Sequence, residues 1–248
     1  MRERTVRVDG LTVDIPTLSV SARSLRKSVL ALSSGGRLLR DANQRVHVRA
    51  LEAVSFELFE GDRLAIVGHN GSGKSSLLRA LAGIYAPTHG TVSLAGRVSA
   101  VLEPATGVEP EASGRDNVRL LARLQGRTRA EAEAAIEEVD TFAGLGNFLD
   151  LPVKTYSPGM LARLAFTVGT CWRPDILLLD EWIAVADERF RDKAVERLAN
   201  YVSGARTVVL ATHDPRLVET LCTKVLSLEQ GRIVNLRPVA GPSIVAAA

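Results

Sequence analysis

The chain has 248 residues, 46% hydrophobic and 24% charged, which is the composition of an ordinary globular protein of one or two domains. The net charge of +3 is small and aromatic residues make up only 4%, so a nucleic-acid groove with interleaved aromatic side chains is disfavoured. No apolar run approaches the roughly 20 residues that span a bilayer, and no apolar signal core follows the first residues. The cysteines, Cys171 and Cys222, lie in apolar patterns that favour core thiols over a disulfide framework. We therefore expect a cytosolic protein that a partner can hold elsewhere and that binds no nucleic acid.

The N-terminal region combines two predicted strands with one predicted helix. Apolar residues alternate with polar ones from Thr5 to Asp14, and a second strand pattern runs from Val46 to Leu58. Between them, Ser21 to Leu32 has helical apolar spacing opposite a basic face of Arg23, Arg26 and Lys27. Two interpretations of this helix remain open at this point: a surface helix packed on the domain, or a contact with a membrane or partner.

A glycine-rich loop follows the apolar strand Leu64–Val67 and precedes a predicted helix that continues through Leu81. It reads G-x-x-x-x-G-K-S and consists of Gly68, His69, Asn70, Gly71, Ser72, Gly73, Lys74 and Ser75, with Ser76 next in the helix. Successive N–H groups of such a loop, together with the helix N-terminus, surround phosphate oxygens. The lysine bridges the outer phosphates and the serine after it is placed to bind Mg²⁺. A turn that merely connected strand and helix would not need both side chains.

The rest of the chain alternates strands and helices. Strand patterns occur at residues 91–94, 98–102, 176–179 and 207–211, with helical patterns at 113–147, 160–171, 187–202 and 215–221 and a final hairpin turning at 230–231. Thr128 and Glu131 fit a capping box that opens one of these helices. The alternation predicts an α/β domain with a small helical subdomain inserted into it.

Polar side chains follow two of the later strands. Asp180 and Glu181 come directly after the apolar run Ile176–Leu179, and His213 follows the strand that ends at Ala211. Ligands of open α/β sheets bind at the carboxyl ends of the strands. There Asp180 is suited to bind Mg²⁺, Glu181 to activate a water as the catalytic base, and His213 to contact the terminal phosphate.

A second anion site is predicted at the start of the helix near residue 160. Ser157, Gly159 and Met160 lie at this helix N-terminus, where a hydroxyl and N–H groups are available to an anion. One chain thus carries two half-sites for the same kind of ligand. This indicates that two copies meet head to tail, each completing the other's site.

Over residues 50–235 these motifs resemble those of the nucleotide-binding subunits of ABC transporters. The resemblance implies five assignments: Walker A at 68–75, Walker B at 176–181, the signature motif at 157–160, the D-loop at 184–187 and the switch histidine at His213. It also implies an α/β fold of the P-loop NTPase class, in its ABC form. That fold has a mainly parallel core sheet, an antiparallel β subdomain and an inserted helical subdomain, here at about 104–172, within a single domain of residues 1–248 that ends in a mobile tail at 238–248.

Four features are similar to the exporters of polysaccharides and polyol phosphates, which move O-antigen, capsule and teichoic-acid chains. They are Tyr156-Ser157-Pro158-Gly159-Met160, Leu102-Glu103, Gly114-Arg115-Asp116-Asn117 and the run from Asp180 to Asp187. An insertion at about residues 15–45 is also similar to that group. The resemblance implies an ATPase that uses ATP and Mg²⁺, works as a homodimer under membrane-spanning permease subunits, and associates peripherally with the cytoplasmic face of the inner membrane. Another cargo, such as a lipid or drug, and a non-transport ATPase acting on nucleic acid are the alternatives.

The chain departs from the family pattern at three places. Pro158 replaces a residue that has an N–H, although proline is well tolerated in a first helical turn. Glu103 stands where most relatives have glutamine, so a carboxylate joins Ser75 and Asp180 as a predicted Mg²⁺ ligand. No aromatic residue is available near residues 45–49 to stack on adenine, and Arg45 or His47 is the candidate replacement.

Overall fold

A computed structural model describes residues 2–16, 37–40, 46–102, 107–180 and 188–239. Several predicted features lie outside these residues: the basic helix at 21–32, Arg45, Glu103, Glu181, the D-loop and the tail from residue 240. The chain divides into two compact units. The first comprises residues 1–102, 175–182 and 206–248, and the second comprises residues 103–174 and 183–205.

The first unit contains two sheets. Its described strands are β1 (Arg4–Pro16), β2 (Arg37–Arg40), β3 (Val46–Phe59), β4 (Arg63–Val67), β5 (His89–Leu94), β6 (Val98–Val101), β7 (Ile176–Asp180), β8 (Thr207–Ala211), β9 (Lys224–Glu229) and β10 (Arg232–Pro238). An antiparallel sheet has the order β2-β3-β1-β5, and the larger sheet has the order β10-β9-β4-β8-β7-β6. The larger sheet is parallel except for its edge strand β10. The predicted combination of a mainly parallel sheet with an antiparallel one is confirmed.

The core of the first unit follows from the apolar runs in its central strands. β7 and β8 are buried along almost their whole length, as expected for parallel strands covered on both faces. Helix α1 (Lys74–Leu81) buries Leu77 and Leu78 against this sheet. A short helix, here α6 (Pro215–Leu221), follows β8. Strand β2 was not predicted, because its four residues, Arg-Leu-Leu-Arg, are too few to show a period-two pattern.

The second unit is helical in the part that the structure describes. It contains α2 (Gly114–Leu124), α3 (Arg129–Ala143), 3₁₀ turns at Gly146–Asp150 and Val153–Thr155, α4 (Pro158–Gly169) and α5 (Glu188–Gly204). Its core is formed by Val118, Ile136, Val139, Leu149 and Leu164. The predicted capping box is confirmed, since Thr128 and Glu131 bond each other's backbone N–H groups. Among the residues described in either unit, no helix is both long and apolar enough to cross a membrane.

Candidate functional site

The phosphate loop is shaped by close backbone neighbours. A Cβ added at Gly73 would lie 2.9 Å from the carbonyl oxygen of Ala50, and this residue has a φ of 109°, which favours glycine. A Cβ at Gly68 would overlap the carbonyl oxygen of Leu228 and lie 2.5 Å from Ser72 Oγ. The loop carbonyl of Ser72 also accepts a hydrogen bond of 2.9 Å from the N–H of Gly231. Backbone from β3 and from the β9–β10 hairpin therefore fixes the loop on two sides.

Lys74 lies over this loop. Its ammonium donates hydrogen bonds to the carbonyl oxygens of Gly68 at 2.9 Å and His69 at 3.1 Å. The side chain is almost completely buried, and the same donors are the ones that would bridge the outer phosphates of a nucleotide. Ser72 Oγ is buried and makes no hydrogen bond within the described residues. A loop that contains a buried, unsatisfied hydroxyl and a central ammonium fits a polyanionic ligand.

Strand register brings the other predicted residues of the first unit to the same sheet edge. Asp180 is the Cα partner of Ala211, which in turn is the partner of Ile66 in β4. The phosphate loop therefore starts two residues beyond the level of Asp180, and His213 lies two residues beyond Ala211. His213 is exposed and borders a cavity of about 720 Å³ that Gly68 and Thr212 also line.

The residues that could hold a divalent cation are Ser75 and Asp180. Ser75 is the second residue of α1, directly after Lys74, and Asp180 ends β7, against which α1 packs. The described residues contain no group of three or more His, Cys, Asp or Glu side chains placed to bind a metal. A hydroxyl with one carboxylate is nevertheless what Mg²⁺ uses when nucleotide phosphates supply its other ligands. The donor set thus fits Mg²⁺ bound together with a nucleotide.

The predicted second anion site lies at the start of α4. Ser157 is the N-cap, and its hydroxyl oxygen accepts a hydrogen bond of 3.2 Å from the N–H of Met160, with Pro158 in the first turn. The sequence led us to expect free N–H groups here, so the engaged Met160 N–H is a correction. The Ser157 hydroxyl keeps its own proton for donation and is exposed. Apart from its chain neighbours and the backbone of its own helix, the described residues bring only Ser157 Oγ within reach of a Cβ added at Gly159, at 4.0 Å, so packing among them does not require a glycine.

Sequence reasoning missed the residues that hold this turn. Tyr156 donates from its hydroxyl to the carbonyl oxygen of Phe148 at 2.7 Å, and burial raises its pKa, with Asp150 adding to the increase. Asn117 is fully buried and bonds the chain before α2. The sequence signal for this contact is the Gly-Arg-Asp-Asn run at 114–117, which by itself indicates only the exporter group.

The region near residues 45–49, where adenine stacking is expected, carries an ion pair. Arg49 binds Asp14 through two hydrogen bonds of 2.8 and 2.9 Å, which lower the pKa of Asp14 and raise that of Arg49. His47, one of the predicted stacking residues, lies two positions away and is half-buried. Residues 46–50 contain no Phe, Tyr or Trp.

Comparison with known proteins gives three consistent results. The family model for ABC transporters matches residues 51–184. The O-antigen export system ATP-binding protein RfbE of Yersinia enterocolitica is 41% identical over 224 residues, covering 90% of this chain and 94% of that protein. The teichoic acids export ATP-binding protein TagH of Levilactobacillus brevis is 36% identical over 232 residues, covering 93% of this chain and 61% of that protein.

Solved structures support the fold. An ATP-binding subunit of an ABC transporter superimposes with a TM-score of 0.67 at 20% identity, covering 94% of this chain and 90% of that one. A dimeric ATP-binding cassette in a post-hydrolysis state, bound to ADP and Pi, gives a TM-score of 0.66 at 20% identity and covers 95% of this chain and 99% of that one. The predicted fold class is therefore confirmed.

Proposed function

The chain belongs to the ABC transporter family, and on that premise we propose that it is the ATP-hydrolysing subunit that powers export of a polysaccharide or lipid-linked glycan across the cytoplasmic membrane. The observation that carries the ATPase assignment is the shared sheet edge, where the phosphate loop, Asp180 and His213 follow three adjacent parallel strands. The glycan assignment is supported by relatives named for export of O-antigen and of teichoic acids.

ATP binds with its phosphates in the loop after β4. The N–H groups of the loop and of the first turn of α1 donate to phosphate oxygens, and the Lys74 ammonium exchanges its two loop carbonyls for the outer phosphates. The loop backbone is already fixed by its contacts with β3 and with the β9–β10 hairpin. Binding therefore needs little reordering of the site, which favours affinity.

Hydrolysis uses the groups at the same edge. Ser75 and Asp180 would hold Mg²⁺, and Glu103 is proposed as a further ligand. The ion would neutralise part of the phosphate charge. Glu181 removes a proton from the attacking water, and the imidazole of His213 contacts the terminal phosphate. His213 follows β8, which lies between β4 and β7. The short segment after β8 therefore brings the imidazole toward the phosphate loop.

The active form is a head-to-tail homodimer with two ATP molecules. Ser157 donates its free hydroxyl proton, and the turn of α4 with Gly159 and Met160 approaches the nucleotide held by the other copy. In the part of the chain that the structure describes, only the side chain of Ser157 comes near Gly159, with Oγ at 4.0 Å from an added Cβ, which supports this because a small residue there leaves room for another molecule. A dimeric relative of the same fold supports the arrangement.

The chain works at the cytoplasmic face of the inner membrane, bound peripherally to membrane-spanning permease subunits. No nucleic acid takes part. We further propose that residues 15–45 form an insertion and that the helical subdomain is about 104–172. Most of the tail predicted to be mobile at 238–248 lies outside the described residues, but its first two residues are held by β9 and the residue before it, since Pro238 pairs with Lys224 and the N–H of Val239 donates to the carbonyl oxygen of Thr223 at 2.9 Å. The basic helix at 21–32 is suited to an anionic membrane surface or a charged glycan headgroup. Export of another cargo is the second candidate, and a neighbouring permease gene among glycosyltransferase genes would favour the glycan.

A mixed dimer tests the proposal. One copy carries Lys74→Ala and the other Ser157→Arg, so that one composite site is intact and the other has both defects. We expect ATP hydrolysis at about half the wild-type rate if the two sites act independently, while each variant alone forms only inactive homodimers. Ser203→Arg, an exposed serine on α5, is the matched control for Ser157→Arg. A mixed dimer as inactive as the Lys74→Ala homodimer would contradict the head-to-tail arrangement.

A further inference from the structure

The Gly114–Asn117 run lies beside the segment that leads to the signature serine. Gly114 begins α2 and does not need its glycine for a positive φ. A Cβ at this position would instead overlap the Tyr156 hydroxyl and lie 2.9 Å from Leu149 Cδ2 and 3.1 Å from Leu149 Cα. Glycine is therefore needed here so that the residue before Ser157 can pack against the start of α2.

Tyr156 is fixed at both of its ends. Its hydroxyl donates to the carbonyl oxygen of Phe148 at 2.7 Å. Its backbone N–H donates to the carbonyl oxygen of Val153 at 2.9 Å. The ring is packed on the core of the helical unit. Since Tyr156 directly precedes the N-cap of α4, the position of this ring sets the position of the Ser157 backbone.

Asn117 connects the other side of the same contact. Its side-chain oxygen accepts from the N–H of Glu109 at 2.7 Å, and its amide nitrogen donates to the carbonyls of Glu109, Ala112 and Ser113 at 2.9, 3.3 and 2.9 Å. The side chain is fully buried, and all of its bonds go to the backbone of residues 109–113. One buried amide thus determines the conformation of the loop before α2.

This loop is paired with the segment before the signature. The N–H of Val153 donates to Ala112 at 3.0 Å and that of Lys154 to Pro110 at 2.9 Å, while Arg115 binds Asp150 at 2.7 Å. The loop, the start of α2 and residues 150–156 therefore move together. The same loop directly follows residues 103–106, which include Glu103.

We propose a positioning role for three residues, Gly114, Asn117 and Tyr156, which we call the signature latch. They place the Ser157 hydroxyl where it can contact nucleotide. The inference rests on the proposed role of Ser157. None of the three residues touches nucleotide, and each acts through the backbone that leads into α4. Loss of the latch displaces Ser157 and leaves the phosphate loop of the first unit intact, so it lowers turnover without weakening ATP binding.

A double-mutant cycle on the full-length chain tests the latch. Gly114→Ala should lower the maximal ATPase rate about tenfold, equivalent to about 1.4 kcal/mol in barrier, with the Kd for ATP within about twofold of wild type. Tyr156→Phe removes the hydroxyl that the added methyl meets. We therefore expect the double variant, Gly114→Ala with Tyr156→Phe, to turn over at least about threefold faster than Gly114→Ala alone. Gly169→Ala in the same unit is the matched control, because among the described residues nothing outside its own helix and chain neighbours lies within 4 Å of the added Cβ.

The outcomes are distinguishable. A Gly114→Ala variant with normal turnover, or one that the added Tyr156→Phe makes no faster, would overturn the latch. Equal losses of turnover and of ATP affinity would indicate a general folding defect and would also overturn it. If Ser157→Arg has a wild-type rate, the proposed role of Ser157 fails first; if Ser157→Arg is inactive but Gly114→Ala is not, only the latch fails.

Discussion

The phosphate loop after β4 and the turn that begins α4 both place backbone N–H groups at the start of a helix, yet different interactions hold them. Backbone carbonyls of Ala50 and Leu228 lie against Gly73 and Gly68, so the loop is shaped by its own glycines. The turn at Ser157 depends instead on the side chain of Tyr156 and on the loop before α2. A loop fixed by its own backbone suits the binding of ATP. A turn positioned by neighbouring side chains suits the proposed assembly of a site shared between two copies.

The largest expected effect distinguishes ATP hydrolysis from ATP binding in the first unit. Glu181→Gln keeps the shape of the side chain but removes the base, so turnover should fall about 10²- to 10⁴-fold while ATP binding persists. Steady-state ATPase rates and equilibrium binding of ATP measure the two quantities. Glu229→Gln, an exposed carboxylate at the end of β9, serves as the control. A Glu181→Gln rate close to that of wild type would remove Glu181 as the base.

The next effect tests whether binding depends on the loop alone. Lys74→Ala removes an ammonium that makes two hydrogen bonds over the loop, and charged hydrogen bonds to phosphate contribute about 1.5–3 kcal/mol. The Kd for ATP should therefore rise about 10- to 100-fold in calorimetry. Lys193→Ala, on the exposed face of α5, should leave it unchanged. An unchanged Kd in Lys74→Ala would show that the phosphates bind elsewhere.

The same contrast explains what could be predicted from the sequence. The phosphate loop, Asp180 and the strand before it are local patterns, in which residue spacing and apolar runs determine the structure. Parallel pairing predicts that His213 and the loop share one sheet edge. The order β4-β8-β7, which makes their strands neighbours, could not be predicted from the sequence and comes from the structure. The support of Ser157 could not be predicted, because Gly114 and Tyr156 are 42 residues apart and no periodicity links them. The Arg49–Asp14 pair was missed for the same reason.

An effect of similar size tests the stability of the helical unit. Asn117→Ala would leave the Glu109 N–H and several carbonyls without their buried partner, which costs about 1–3 kcal/mol for each unsatisfied group. We expect the variant to lose about 3 kcal/mol of unfolding free energy in denaturant titration. The affinity for ATP should change much less, since the phosphate loop belongs to the other unit. Asn200→Ala on the exposed face of α5 is the control, and an equally large loss there would contradict this account.

The smallest expected effect involves one thiol in each unit. Burial raises the pKa of Cys171 to about 12, with Glu138 adding to the increase and Arg197 opposing it. Burial likewise raises the pKa of Cys222 to about 11, against an opposing effect of Arg63. At pH 8 alkylation should therefore be at least about 100-fold slower in the folded chain than in urea, because only the thiolate reacts.

The sign of the pH dependence follows from the same shifts. An unfolded thiol loses its proton near pH 9, whereas the folded thiols keep theirs to about 11 and 12, so the folded state binds more protons in this range. The stability that these thiols contribute is fully present below pH 9 and falls as the pH rises through 11 and 12. Replacing both cysteines with alanine should flatten the decline of unfolding free energy between pH 9 and 10.5, as measured by urea titration, relative to the parent chain. An unchanged slope in the double variant would assign the decline to other groups. Fast alkylation of Cys222 at pH 8 would show that the first unit opens between α6 and β9 more readily than the burial of this thiol implies.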